Sequence, residues 1–318
     1  MDQISHKYVN VNGLKLHVAE IGLDSSPAVI FLHGFPEIWY TWRYQMIAVA
    51  KAGFRVIAPD FRGYGLSDEP AEPEKASFND LIIDTAAILD SLGISKVFVV
   101  GNDFGAVVAY PLALLYPEKV VGIITLGIPF MPPGAFTNHF SLPEGFYPRR
   151  WQEPGRAEAD FGRFDIKTVV RNIYILFSQS ELQIASENQE IMDLVKPSSP
   201  LPAWFTEEDL EVYAKLYENS GFRTPLQVPY RSIDTIGSEV KDPKVEVPTL
   251  LIFGEADYVL KIPGIHEYVT SGEVKKYVPK LETIYVPHGS HFIQEQFPDH
   301  VNQLILTFLN GNYNLASI

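Results

Sequence analysis

Six short apolar runs, several of them rich in β-branched residues, recur along the chain, and helical windows separate them. Residues 29–32, 54–58, 96–100, 120–126, 249–253 and 283–286 read as strands buried in the interior. A strand without a polar face must be covered on both sides, the condition met by a parallel sheet with helices on each face. Windows at 41–50, 78–92, 104–115, 264–269 and 298–309 supply those helices. The opening segment differs: Val9-Asn10-Val11 and Leu14–Val18 flank Asn12-Gly13, the pattern of a tight hairpin. The sequence therefore predicts an α/β fold, a doubly wound, mostly parallel sheet with an antiparallel start. The alternation fails between about 129 and 236, where Pro, Phe, Tyr and charge accumulate. One helix is expected there at 205–218, behind a Thr206-x-x-Asp209 capping box. A stretch this long is no simple loop. It is expected to be an inserted helical lid, residues 130–235, on a core made of residues 1–129 and 236–318.

Composition narrows the chemistry. The 318 residues include no cysteine, which excludes a thiolate metal site and a cysteine nucleophile. The net charge of −14 has the wrong sign for coating a nucleic acid or an anionic membrane. The most apolar window, 107–128, is broken by Pro111, Pro117, Glu118 and Lys119, so no membrane span is expected. The N-terminus carries no basic region followed by an apolar run, and a soluble, cytoplasmic protein is the expectation.

The strand at 96–100 runs straight into Gly101-Asn102-Asp103-Phe104-Gly105 and then into a helix. Flanking glycines allow a turn so tight that its central residue stands above the sheet in a strained conformation. That residue is Asp103. Taken alone, it reads first as a helix N-cap. Three further features favour a site. His33-Gly34-Phe35-Pro36-Glu37 follows the first buried strand, Asp257 follows the strand at 249–253, and His291 lies just past the last strand. Nucleophile, acid and histidine in that order, each at a strand's C-terminal end, form the sequence signature of a hydrolase triad. His288 competes with His291, and Glu255 with Asp257. His291 is preferred because Phe292 and the C-terminal helix follow it.

His33–Glu37 with Trp39-Tyr40-Thr41-Trp42-Arg43, the run 59–65 and the Asp elbow together resemble the soluble epoxide hydrolases of the α/β-hydrolase fold, the plant group in particular. There is no room for the extra N-terminal phosphatase domain of the animal enzymes. The chemistry of Asp103 agrees with the resemblance. A carboxylate attacking a carbonyl would give an anhydride, whereas at a saturated carbon it gives a simple alkyl ester. Asp is ionised at neutral pH without a base, which leaves His291 to activate water against that ester, with Asp257 orienting the imidazole. The backbone N–H groups of Phe35 and Phe104 are the expected oxyanion hole. An opening epoxide needs a proton donor, and the resemblance assigns that role to Tyr147 and Tyr230, two of 16 tyrosines. It also places Pro36, Glu37 and Trp39 at the substrate and water. His33 is read as a loop hydrogen-bonder.

The expected partners are a small lipophilic epoxide and water, with no metal or organic cofactor; monomer and homodimer both fit. Two alternatives stay open at this stage. One is a haloalkane or haloacid dehalogenase using the same nucleophile. The other is a non-catalytic ligand-binding protein on this fold. Two departures from the commoner His-Asp-Trp-Gly elbow stand out, Asn102 and Phe104, and the segment 223–230 runs one residue long.

Overall fold

The computed structural model describes residues 3–132, 142–233 and 240–315. Eight strands form one sheet within them: β1 (Ser5–Val11), β2 (Leu14–Ile21), β3 (Ala28–Leu32), β4 (Arg55–Pro59), β5 (Val97–Asn102), β6 (Val120–Leu126), β7 (Thr249–Gly254) and β8 (Leu281–Val286). Their spatial order is β1-β2-β4-β3-β5-β6-β7-β8. β1 and β2 pair antiparallel through the Asn12-Gly13 turn, whose two residues sit at φ 51° and 79°, and β2 joins β4 antiparallel. Every pairing from β4 to β8 is parallel. β3 to β7 are buried along their whole length, as their unbroken apolar sequences require, whereas β1, on the edge, is largely exposed.

The covering helices lie close to the predicted windows. They are α1 (Arg43–Lys51), α2 (Phe78–Ser91), which starts on a Ser77–Asp80 capping box, α3 (Phe104–Leu115) and, near the C-terminus, Pro298–Gly311. Between β6 and β7 stand α4 (Ile166–Phe177) and α5 (Glu207–Ser220), packed on each other. α5 begins where the capping box placed it, with Thr206 Oγ1 accepting the Asp209 N–H at 3.1 Å. α4 was not anticipated as a separate helix. Its buried face, Val169, Val170, Ile173, Tyr174 and Phe177, anchors it at roughly 1.5–3 kcal/mol per large apolar side chain removed from water. Of the expected lid, residues 133–141 and the boundary at 235/236 lie outside the described residues.

Strand order reverses between β3 and β5, which are neighbours although they are not consecutive. Such a switch point opens a crevice at the strands' carboxyl ends. The loop 33–37 leaves β3 there, and Asp103 leaves β5 beside it.

Candidate active site

Asp103 holds φ 50° and ψ −123°, a region a non-glycine residue enters only when its surroundings enforce it. The enforcement is steric. A Cβ added at Gly105 would stand 2.1 Å from the Leu32 carbonyl oxygen, and one at Gly101 would stand 2.5 Å from the Gly105 carbonyl carbon. Glycine at both positions lets the start of α3 press against the end of β3. The same approach brings Gly34 so near that its own added Cβ would meet the Asp103 carboxylate at 2.6 Å. As a result the Phe35 N–H donates to Asp103 Oδ2 at 3.0 Å. The Phe104 N–H is the first of α3, one of the amides a helix start leaves without an intrahelical acceptor. The Phe35 N–H is thus on the carboxylate, and the Phe104 N–H follows Asp103 directly in the chain. Pro36 follows Phe35 in this loop.

Asp257 caps the turn Tyr258–Lys261 by accepting the Val259 N–H at 3.0 Å. Both of its carboxylate oxygens lie 3.1 Å from Nδ1 of His291. The other imidazole nitrogen, Nε2, is 3.4 Å from Asp103 Oδ1, forms no hydrogen bond and is buried. The three residues are 1–4% exposed. Their competitors are elsewhere: His288 and Glu255 are exposed. Gly127, after β6, makes room for the pair, since a Cβ there would meet Asp257 Oδ2 at 3.1 Å. Burial disfavours the His291 imidazolium. The charge of Asp257, its hydrogen bonds to Nδ1 and the nearby charge of Asp103 together outweigh burial and hold it well above the usual imidazole range.

Tyr147 opens the helical turn Tyr147–Arg150, and Tyr230 lies in the wide turn Gln227–Arg231. The one-residue excess at 223–230 is absorbed in that turn, where Val228 departs from helical geometry and the Ser232 N–H reaches back five residues to the Gln227 carbonyl at 3.1 Å. Arg231 locks the turn from outside through two bonds to Glu158, 2.8 and 2.7 Å. The Tyr230 ring packs on Phe35, Phe104, Trp151 and Tyr147, with centroids 5.0–5.8 Å apart. Tyr230 therefore packs on the rings of the two residues that flank the nucleophile's loop and elbow, Tyr147 packs on Tyr230, and both phenols feel the Asp103 charge. Burial pushes both phenols well above their ordinary range, so they keep their protons. Tyr147 and Tyr258 also line a small crevice of about 10 Å³ with Phe146, Phe177 and Leu194, with Glu181 and Gln183 among its other walls.

Glu37 is fully buried and takes four donors: the Gly34 N–H (2.7 Å) on one oxygen, and Thr41 (3.0 Å), Asn102 (2.8 Å) and Gln294 on the other. Burial pushes its carboxyl up to about 7; the Glu295 and Asp103 charges add to this, and the Gly34 N–H and His291 oppose it. Asn102, which the motif comparison treats as a lost imidazole, is here an amide donor to Glu37. Trp39 is not brought to the carboxylate. Its ring packs against His6, His17 and Tyr40, and its backbone N–H donates to Asp60 Oδ1 at 2.8 Å. His33 is a loop fastener: Nδ1–H donates to the Gly34 carbonyl (2.8 Å) and Nε2 accepts from the Phe61 N–H (3.1 Å).

Sequence reasoning missed Tyr258, whose hydroxyl is 2.8 Å from that of Tyr147. It also missed the buried Glu295, paired with Arg43 at 2.5 Å and accepting the Tyr213 hydroxyl at 3.1 Å. Only adjacency to Asp257 and His291 could have signalled them.

Residues 27–298 match the alpha/beta hydrolase fold family. Epoxide hydrolase 2 of Siraitia grosvenorii is 37% identical to this chain over an alignment of 323 positions that covers 97% of this chain and 99% of that protein. An epoxide hydrolase from Vigna radiata superposes with a TM-score of 0.89 at 35% identity, covering 98% of this chain and 99% of its own. Potato (Solanum tuberosum) epoxide hydrolase I superposes with a TM-score of 0.87 at 34% identity, covering 97% and 99%.

Proposed function

The chain belongs to the α/β-hydrolase fold family and, within it, to the epoxide hydrolases, and from that premise we propose which residues carry out the reaction. The chain is a hydrolase that converts an epoxide and water to a vicinal diol. This leaves no place for the dehalogenase and non-catalytic readings. In our reading Asp103 Oδ1 attacks an epoxide carbon while Oδ2 stays on the Phe35 N–H. The C–O bond of the ring breaks, and its oxygen receives a proton from the tyrosine pair, Tyr147 and Tyr230, lowering the cost of an alkoxide leaving group. Water then attacks Cγ of the Asp103 ester, giving its proton to His291 Nε2. The oxyanion forms at Oδ2, against the Phe35 and Phe104 N–H groups. Collapse of that intermediate releases the diol.

The coupling of His291 to Asp103 times the two halves. While Asp103 is ionised, its charge favours the imidazolium. Esterification removes that charge, so the proton affinity of His291 falls when a base is needed. Asp257 keeps the ring oriented in both states. Glu37, held by four neutral donors, is read as an acceptor that places the attacking water.

The observation that carries this reading is one contiguous arrangement. An elbow carboxylate has an amide on one oxygen, the Asp257-oriented imidazole beside the other, and two buried phenols above. The aromatic rings packed around Tyr147 and Tyr230 favour lipophilic epoxides. We read residues 130–235 as the lid, and the enzyme as a cytoplasmic monomer or homodimer; no helix among the described residues is long and apolar enough to cross a membrane.

A single turnover of excess enzyme with a lipophilic epoxide in ¹⁸O water tests the assignment. Label is expected in the Asp103 carboxylate, with the first-turnover diol carrying an unlabelled oxygen from Oδ1. Label appearing directly in the diol with Asp103 left light would make Asp103 a base and overturn the covalent route.

A further inference from the structure

Tyr258 has no part in the mechanism above, yet its hydroxyl is 2.8 Å from that of Tyr147. A phenol has one proton to give. If Tyr147 donates to Tyr258, it has nothing left for a substrate. In the productive direction Tyr258 donates, and the Tyr147 proton is free to point at the opening ring. Tyr230 differs, because its buried hydroxyl has no hydrogen-bond partner. The other rings against Tyr147 are those of Phe146, Trp151, Phe177 and Tyr230. In such surroundings a bare phenolate is costly. The Tyr258 O–H is the group placed to stabilise one, and a hydrogen bond to an ionised acceptor is about twice as strong as its neutral counterpart. That gain appears only as charge develops, so it lowers a barrier rather than tightening binding.

We propose that Tyr258 is a positioning residue for ring opening, which makes Tyr147, rather than Tyr230, the lid tyrosine that gives up its proton. The proposal rests on the reading of the lid tyrosines as the acids. As the Asp103 Oδ1–carbon bond forms, the ring C–O pair moves onto oxygen, which takes the Tyr147 proton. One negative charge thereby passes from Asp103 to Tyr147 Oη, where the Tyr258 O–H holds it. Tyr230 hydrogen-bonds the same oxygen and keeps its own proton. The cycle closes when the proton that water gives to His291 is returned to Tyr147.

Pre-steady-state alkylation and ester hydrolysis are measured separately in Tyr258→Phe, Tyr147→Phe, Tyr230→Phe and the paired variants. Tyr258→Phe is expected to slow alkylation about tenfold or more and to leave the ester hydrolysis rate unchanged. The same change should cost less than about twofold once Tyr147 is Phe, because a residue acting only through Tyr147 has no effect without it. Its full cost should persist in the Tyr230→Phe background. Unchanged alkylation in Tyr258→Phe, with Tyr147→Phe slow, would sink this proposal and leave the lid reading standing. Unchanged alkylation in Tyr147→Phe would sink the lid reading and the proposal with it. A Tyr258→Phe cost that survives in the Tyr147→Phe background, or falls equally on both steps, would mean that Tyr258 acts on the His291 ring 5.1 Å away, against the proposal.

Discussion

Replacing His291 by Gln should separate the two halves of the reaction, and the structure sets the size of each effect. Ring opening uses Asp103, its amide at 3.0 Å and the tyrosine pair, none of which the substitution removes. Alkylation should therefore change by no more than a few-fold. Hydrolysis loses its base, and general-base catalysis contributes typically about 10²–10⁴-fold. With formation intact and breakdown slowed that far, the alkyl-enzyme should accumulate to nearly one equivalent. The fold should survive. Asp257 loses the imidazole at 3.1 Å but keeps the Val259 N–H at 3.0 Å. Weakening one buried hydrogen-bonded charge costs about 1–3 kcal/mol, and each kcal/mol lowers the melting temperature by about 2–4 °C or less in a domain of this size. Intact-protein mass spectrometry after mixing with a lipophilic epoxide reads the outcome directly: a mass increase of one substrate, mapped by peptide sequencing to Asp103. Continued diol release with no adduct, or an adduct on another residue, would refute the two-step assignment. Adduct breakdown as fast as in the parent enzyme would remove His291 from the base role.

Two other substitutions test the scaffold. Glu37 is pushed up to about 7 by burial, so the folded protein binds more protons than the unfolded chain across roughly pH 4.5 to 7, and stability falls as pH rises through that window. Glu37→Gln removes this titration. In urea unfolding, the stability of the variant relative to the parent should rise by up to ~3 kcal/mol between pH 4.5 and pH 8; a constant difference would contradict the assignment. Gly105→Ala drives a methyl to within 2.1 Å of the Leu32 carbonyl. It should cost ~2 kcal/mol or more and reduce ring opening by prying the Phe35 N–H from Asp103. Wild-type stability and activity together would show that the elbow is looser than the geometry implies.

Much of this protein is legible in one dimension, for a definite reason. Strands buried on both faces must be written as largely apolar runs, so β3 to β7 could be located to within a residue or two, and with them the positions of Asp103 and Asp257 at their ends; His291 follows the last strand, β8. A turn as tight as Gly101–Gly105 can be built only with glycine at its flanks, which made Asp103 conspicuous. Thr206 and Asp209 marked the start of α5 because capping chemistry is local. What the sequence could not decide is anything made between segments far apart in the chain. Asn102 read as a loss until tertiary packing set its amide against Glu37, 65 residues away. Trp39 read as part of the pocket because its neighbours in sequence are, but the β1–β2 hairpin holds its ring. Tyr258 was one tyrosine among 16, and only the fold places its hydroxyl against one 111 residues distant. Local patterns record what a residue requires of its own backbone and solvent exposure. A hydrogen bond between two such distant segments depends on where two independent elements come to rest, and only the packed structure fixes that.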